Sequence, residues 1–390
     1  MAPRSTEALA AAARAGGRLA IDTEFMTEGR YRPLLCLVQI AVPAPDGEGV
    51  EVEVLDPFVP LDPGPLAAAL ADPGIEVVVH AGRQDVAILR REWETEVTSL
   101  FDTQVAAGFA GYGAQVGYVN LLGETLEVSL PKSAGFTRWE QRPLTDEQLS
   151  YARGDVLHLL ALADFLGARL DEGGRRAWVR DECRALEHSS VERDPDEVWR
   201  RLPRVNQLSG RARAVARELA AWRERTAAEE DKPVGSIVAD AALIELARRQ
   251  PRDEAGLERI RGLHQRGLRR RGAALIATIE RGREAEPPAL DDDRPAPPDP
   301  ADAPVIALAE ALVRQRALEA GLAYEVLAAK ADIARVVGAV RRGEPEPDVR
   351  TITGWRRGVV GAELLALLRG EHLLCVERGP RVVVRPQDAA

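Results

Sequence analysis

Apolar residues recur at two different periods along this chain, and the change from one to the other divides it. Between residues 18 and 80 they fall in short runs bounded by turn residues: Arg18–Asp22, Pro33–Val42 (PLLCLVQIAV), Gly49–Leu55 (GVEVEVL) and Ile75–His80 (IEVVVH). Runs of that length and composition are strands. Pro43, Asp46 and Gly47 between the second and third predict a hairpin. Helical spacing appears between the runs, over Pro65–Ala71 and Gln84–Trp93, and then strongly over Leu144–Leu170. That last segment has Thr145 as N-cap and Glu147 in its first turn. Strands interleaved with helices predict an α/β domain. From about Leu202 the pattern is helical with Arg-rich faces. Residues 284–304 (EAEPPALDDDRPAPPDPADAP) are a Pro- and Asp-rich extended linker. Helices resume over Val305–Arg342 and after Val349, ending in a strand-like run at Arg381–Val384. No fixed-period repeat is present. The expected organisation is an α/β domain over 1–195, a helical domain over 200–283, the linker at 284–304, and a second helical domain over 305–390.

Hydrophobic residues make up 45% of the chain but aromatic ones only 4%, so the cores must be aliphatic. Net charge is −10, against the usual sign for a nucleic-acid partner. The charge is unevenly spread, however. Arg200–Arg283 holds 20 basic and 11 acidic residues, a local +9, which leaves −19 elsewhere. An acidic body joined to a basic module suits divalent cations in one place and phosphates in another. Cys36, Cys183 and Cys375 are scattered, with neither disulfide nor zinc spacing, and a reducing cytoplasm is the expected location. Met1–Gly17 is interrupted by Arg4, Glu7 and Arg14 and reads as a short amphipathic helix. No apolar run approaches the ~18 residues of a membrane span. The expected oligomeric state is a monomer.

The candidate chemistry lies in carboxylates. Asp22 and Glu24 follow a buried strand at i and i+2, so they point the same way. Two such carboxylates repel unless a cation sits between them. Asp85 follows the IEVVVH strand and a turn at Gly82, in the first turn of the next helix. Tyr151 and Asp155 share one helix face at i and i+4. Each has an ordinary reading by itself: a solvated strand end, a helix-start charge, a packed tyrosine beside a surface aspartate.

The order Asp-x-Glu, Asp, Tyr-x-x-x-Asp resembles the three motifs of the DEDDy exonucleases, and the similarity extends to the ribonuclease D family. His80-Ala-Gly-Arg-Gln-Asp85 is similar to that family's second motif, and Phe101-Asp-Thr-Gln-Val-Ala-Ala107 to its Asp-Thr-Gln segment. Trp139-Glu-Gln-Arg-Pro-Leu144 and Gln148-Leu-Ser-Tyr-Ala-Arg-Gly-Asp-Val156 follow its third, and Phe25 through Gln39 is similar too. The resemblance covers residues ~18–170. It implies a ribonuclease-H-like exonuclease domain with a mixed sheet, followed by two all-α helical domains. It implies two ions, Mg²⁺ or Mn²⁺, held by Asp22, Glu24, Asp85 and Asp155, with Tyr151 orienting the attacking water. The implied reaction is 3′→5′ hydrolysis of RNA from a free 3′ end, releasing nucleoside 5′-monophosphates, with tRNA precursors or other structured RNA as substrate. A 3′→5′ DNA exonuclease, or an inactive nucleic-acid-binding scaffold, would use the same sequence features.

One motif departs from the family. Lys132-Ser133 is present, but Phe136-Thr137-Arg138 stands before Trp139 where the family has Arg-x-Asp. This leaves the acids untouched and bears on how that loop meets its neighbours or substrate. In the helical part, Trp222-Arg223, Lys232-Pro233, Ile237-Val238-Ala-Asp240, Pro251 and Gly262 resemble an HRDC domain. His264, Arg266, Arg269, Arg270 and Arg271 form either a phosphate footprint or a solvated face, and Lys132 is a further RNA-contact candidate. Residues Gly354-Trp-Arg-Arg357 and Gly361-Ala-Glu-Leu-Leu365 resemble the family's second, carboxy-terminal helical domain. His80 is expected to pack or to support the acids and not to act as a base.

Overall fold

The computed structural model describes residues 4–130, 138–263, 265–289, 299–379 and 381–387, with Arg266 described by its backbone only. Helix α1 (Thr6–Gly16) is capped by Ser5 and ended by Gly17, whose φ of 68° turns the chain directly into β1 (Arg18–Met26). β1 pairs antiparallel with β2 (Leu34–Pro43), and β2 with β3 (Val50–Leu55). The turn joining β2 to β3 places Gly47 and Gly49 at positive φ, as the expected hairpin requires. After α2 (Gly64–Leu70) the chain returns as β4 (Glu76–Val79), parallel to β1. After α3 (Arg83–Glu92) comes β5 (Leu100–Asp102), parallel to β4. The sheet order is β3-β2-β1-β4-β5. It is mixed because hairpins give antiparallel neighbours and helical crossovers give parallel ones. Between its end residues β2 is wholly buried, which explains its continuous apolar run.

The rest of this domain is helical: α4 (Thr103–Phe109), α5 (Tyr118–Thr125), α6 (Asp146–Leu157), α7 (Leu159–Glu172) and α8 (Arg176–Glu187). The segment Leu144–Leu170, expected as one helix, breaks at His158. α6 packs on β1, β2 and β3, whereas α7 packs on α4 and β4, and one straight rod would not meet both sets. Thr145 forms the expected N-cap, in a capping box with Gln148.

Helices α9 (Gly210–Glu230), α10 (Val234–Ile237), α11 (Asp240–Arg249), α12 (Glu254–Glu258) and α13 (Gln265–Glu284) enclose a separate core around Leu219, Leu243, Leu246, Leu257 and Ile279. A Cβ at Gly282 would lie 2.6 Å from the Val215 backbone, so glycine is what lets α13 press against α9. Of the linker expected at 284–304, residues 290–298 lie outside the described residues.

The last part holds α14 (Ala303–Ala320), α15 (Tyr324–Leu327), α16 (Lys330–Arg341), α17 (Gly354–Arg356) and α18 (Ala362–Leu368). A hairpin of β6 (His372–Glu377) and β7 (Arg381–Pro386) completes it. The strand-like run at Arg381–Val384 lies in β7. Its partner β6 was not legible, because His372–Glu377 continues the leucine spacing of α18 and only Gly370, at φ 76°, breaks it. Leu312, Leu327, Val360 and Leu364 of this part belong to the same buried cluster as Ile21, Val78 and Leu166. Trp178 and Trp355 stack across the join, 4.7 Å between centroids and 11° between planes. Arg356, buried, donates to the Val326 carbonyl and pairs with Glu182.

Candidate active site

The site forms where β1 runs beyond its parallel partner. Pairing with β4 covers only Arg18–Ala20, so Asp22 and Glu24 project past the carboxyl end of β4 while β2 still holds them from the other side. A register shift between Glu24 and Phe25 then bends the strand away. α6 lies against β1 and brings Asp155 over it. Ligand oxygens of Asp22, Glu24 and Asp155 lie within 4.8 Å of one another. The Tyr151 hydroxyl donates to Asp155, and its ring lies 6.0 Å from that of buried Trp139. Trp139 thus packs behind the tyrosine, although Phe136 and Thr137 of the departing motif lie outside the described residues.

Asp85 arrives from α3. It is buried, it accepts a hydrogen bond from the Thr23 hydroxyl, and its charge acts directly on Asp22 and Glu24. Its oxygens are not part of the closest group of three. Asp102, noted in the sequence only as part of a motif, holds Asp85 in place. Its carboxylate, 1% exposed, accepts from the amides of Ala81 and Gly82 at 3.0 Å each and caps α4 through Gln104. Those amides form the turn into α3, where Ala81 sits at φ 56°. Gln39 is a second such residue. It stands directly across from Asp22 in register, it is fully buried, and neither its amide oxygen nor its nitrogen has a partner among the described residues.

Burial, and then mutual repulsion, raise the acids. Glu24 is pushed up to about 8, by burial first and then by Asp155 and Asp85. Burial lifts Asp155 to about 7. Asp22 lies well above the usual carboxylate range and Asp85 is also raised, both chiefly by burial. Four carboxylates so placed cannot all be ionised without cations among them. Hard divalent ions take oxygen ligands, which is the donor set present, and an orphaned amide at Gln39 fits a polar, occupied site. The residues therefore fit the expected ions.

His80 does not face the acids as a base. Its Nδ1 meets the Thr103 hydroxyl at 2.9 Å and its Nε2 the Val116 carbonyl at 3.1 Å. Of the cationic candidates, Arg271 is mostly buried against Glu230 and Arg270 also pairs with Glu230, while Arg269 is exposed. Lys132 and His264 lie outside the described residues, as does the side chain of Arg266.

The chain is similar to known proteins. A family model described as a 3′-5′ exonuclease matches residues 3–171, and one for the HRDC domain matches residues 212–279. Ribonuclease D of Granulibacter bethesdensis is 38% identical over 365 residues, covering 92% of this chain and 89% of the relative. Ribonuclease D of Gluconacetobacter diazotrophicus is 37% identical over 369 residues, covering 93% and 90%. Among solved structures, Escherichia coli RNase D, described as an exoribonuclease involved in structured RNA processing, superposes with a TM-score of 0.79 at 29% identity. That match covers 95% of this chain and 99% of the other.

Proposed function

The chain belongs to the ribonuclease D family and is a 3′–5′ exoribonuclease, and from that premise we propose that it uses two Mg²⁺ or Mn²⁺ ions to release nucleoside 5′-monophosphates from free 3′ ends. The observation that carries the reading is the group of Asp22, Glu24 and Asp155 within 4.8 Å of one another, with Asp85 behind it and Tyr151 on Asp155. In it Asp22, Glu24, Asp85 and Asp155 would hold the ions, which would supply a lowered pKa for the attacking water and balancing charge for the departing 3′ oxygen. Tyr151, anchored on Asp155 and backed by Trp139, orients that water with its hydroxyl. Asp102 keeps the turn before Asp85 rigid. The proposed substrates are tRNA precursors or other structured RNA. Family kinship and the basic middle domain support that choice.

The test uses RNA and DNA labelled at either end, with Mg²⁺ and with chelator. Mononucleotide release from the 3′ end of RNA, abolished by chelator, is the expected result. Asp155→Asn should lose more than ~100-fold in rate, because it removes an ion ligand. It should leave RNA affinity in chelator unchanged, since Asp155 holds ions and not phosphates. A variant keeping over ~10% of the rate would remove Asp155 from this role. Equal hydrolysis of DNA would replace the RNA assignment.

A further inference from the structure

A cleft of about 660 Å³ lies between the nuclease domain and the middle helical domain, lined in part from α3, which carries Asp85, and from the segment that follows β1. Its floor includes Arg83, Gln84 and Ala87 of α3, so it begins two residues from Asp85. Thr27, Arg30 and Tyr31 line it just beyond β1; Ser189 through Asp194, then Glu197, Val198 and Arg201, line it on the way to the middle domain. Its width is fixed by a clamp. The Tyr31 hydroxyl donates to Glu224, which is 2% exposed; Arg30 pairs with Asp231; Arg32 pairs with Glu192 through two nitrogens.

The cleft's charge stays positive once these pairs are assigned, with Asp194 the lining carboxylate left against Arg83, Arg193 and Arg201 among the described residues. Glu192 is taken by Arg32, and Glu197 by Arg200. Arg193 meets a carboxylate only loosely, Glu224 at 3.8 Å. Among the described residues, Arg83 and Arg201 meet no carboxylate, and both are exposed. Arginines left without carboxylates in a concave site are phosphate ligands in waiting. A second observation points the same way. Ser189, 7% exposed, lines the cleft, and its hydroxyl has no hydrogen-bond partner among the described residues. A buried hydroxyl left so is costly unless something completes it.

We propose that this cleft binds the backbone of the unpaired RNA strand just upstream of the scissile bond, with Arg83, Arg193 and Arg201 on its phosphates. The volume suits about one or two nucleotides, not a duplex. This rests on the reading of the acids as the nuclease centre. The strand's 3′ end meets Asp22 and Glu24, and the next phosphates pass over the start of α3.

Binding is measured on the full chain in chelator by fluorescence anisotropy, with a 5′-labelled RNA of about ten nucleotides, within the site sizes single-strand grooves take. No ion or turnover enters that measurement, so it stands or falls apart from the Asp155→Asn result. Arg201→Ala, and separately Arg83→Ala, should weaken binding about tenfold, the worth of one charge-assisted contact. Each should make the slope of log affinity against log salt shallower by ~0.7. With Mg²⁺, the ratio of kcat/KM on the long RNA to that on a dinucleotide should fall in the same variants. Arg14→Ala, on α1 and outside the cleft, should change neither quantity. Thermal melts confirm that the exposed substitutions leave the fold intact. Affinity and salt slope unchanged in Arg83→Ala and Arg201→Ala would overturn the proposal. A loss confined to Arg269→Ala on α13 would overturn it too, placing the strand on the middle domain instead.

Discussion

Tyr151 and Asp155 lie one helical turn apart, and their hydrogen bond separates two kinds of contribution. Tyr151→Phe keeps the ring against Trp139 and removes only the hydroxyl. The rate should fall ~10²–10³-fold, the cost of losing one oriented hydrogen bond in a transition state. Ion affinity, read by calorimetry, should stay the same. Unchanged turnover or lost ion affinity would contradict a water-orienting role. The raised acids also predict a pH dependence for the ion-free protein. A carboxyl whose pKa is higher folded than unfolded keeps its proton longer in the native state. Stability is then lost as pH rises from the unfolded value, about 4, through the folded values near 7 for Asp155 and 8 for Glu24. In chelator, Tm should fall between pH 6 and pH 8.5. Mn²⁺ should restore it, and by more at the higher pH, where the ligands carry charge. An equal gain at both pH values would show that the ions bind elsewhere.

At the scale of elements, the site depends on the junction between β4 and α3. The chain must leave the sheet, pass Ala81 at φ 56°, and present Asp85 within one turn. Asp102 makes that possible from the neighbouring β5, by taking the amides of Ala81 and Gly82 together with that of Gln104. Asp102→Ala leaves buried donors unsatisfied and removes the cap of α4. It should cost about 2–4 kcal/mol in chemical denaturation. It should also lower kcat while KM for RNA stays within twofold, since no phosphate contact is lost. A stable variant of normal kcat would show that the turn holds itself.

Across the whole molecule, the two helical parts meet the nuclease in different ways. The middle domain keeps its own core and docks through Tyr31 on Glu224, Arg30 on Asp231 and Arg32 on the Ala228 carbonyl. The last part shares a core with the sheet, through Trp355 stacked on Trp178 and packed 5.1 Å from Phe109. Trp355→Ala should therefore destabilise the nuclease itself, by about 3 kcal/mol for a large, half-buried aromatic. Near-ultraviolet signal and nuclease activity should be lost in the same thermal transition. Two separated transitions, with activity following only one, would show that the last part is an independent domain.

Four strands of the sheet, β1 to β4, and the grouping of Asp22, Glu24 and Asp155 were legible in the sequence, and the mixed sheet in its family resemblance. Strand periods, β-branched runs and turn residues act locally, and the motif spacing from Asp22 to Asp155 survives any arrangement of the parts that binds ions. What it did not determine was anything carried by contacts distant along the chain. The break at His158 comes from α6 and α7 packing on different partners. β6 is decided by Gly370 and by pairing with β7. Arg270 and Arg271 read as free charges until Glu230, 40 residues earlier in the case of Arg270, turned out to face them. Nothing in the sequence marks Arg83 and Arg201 as unpaired, because an arginine's partner, or the lack of one, is fixed only when the tertiary fold sets which carboxylates come within reach.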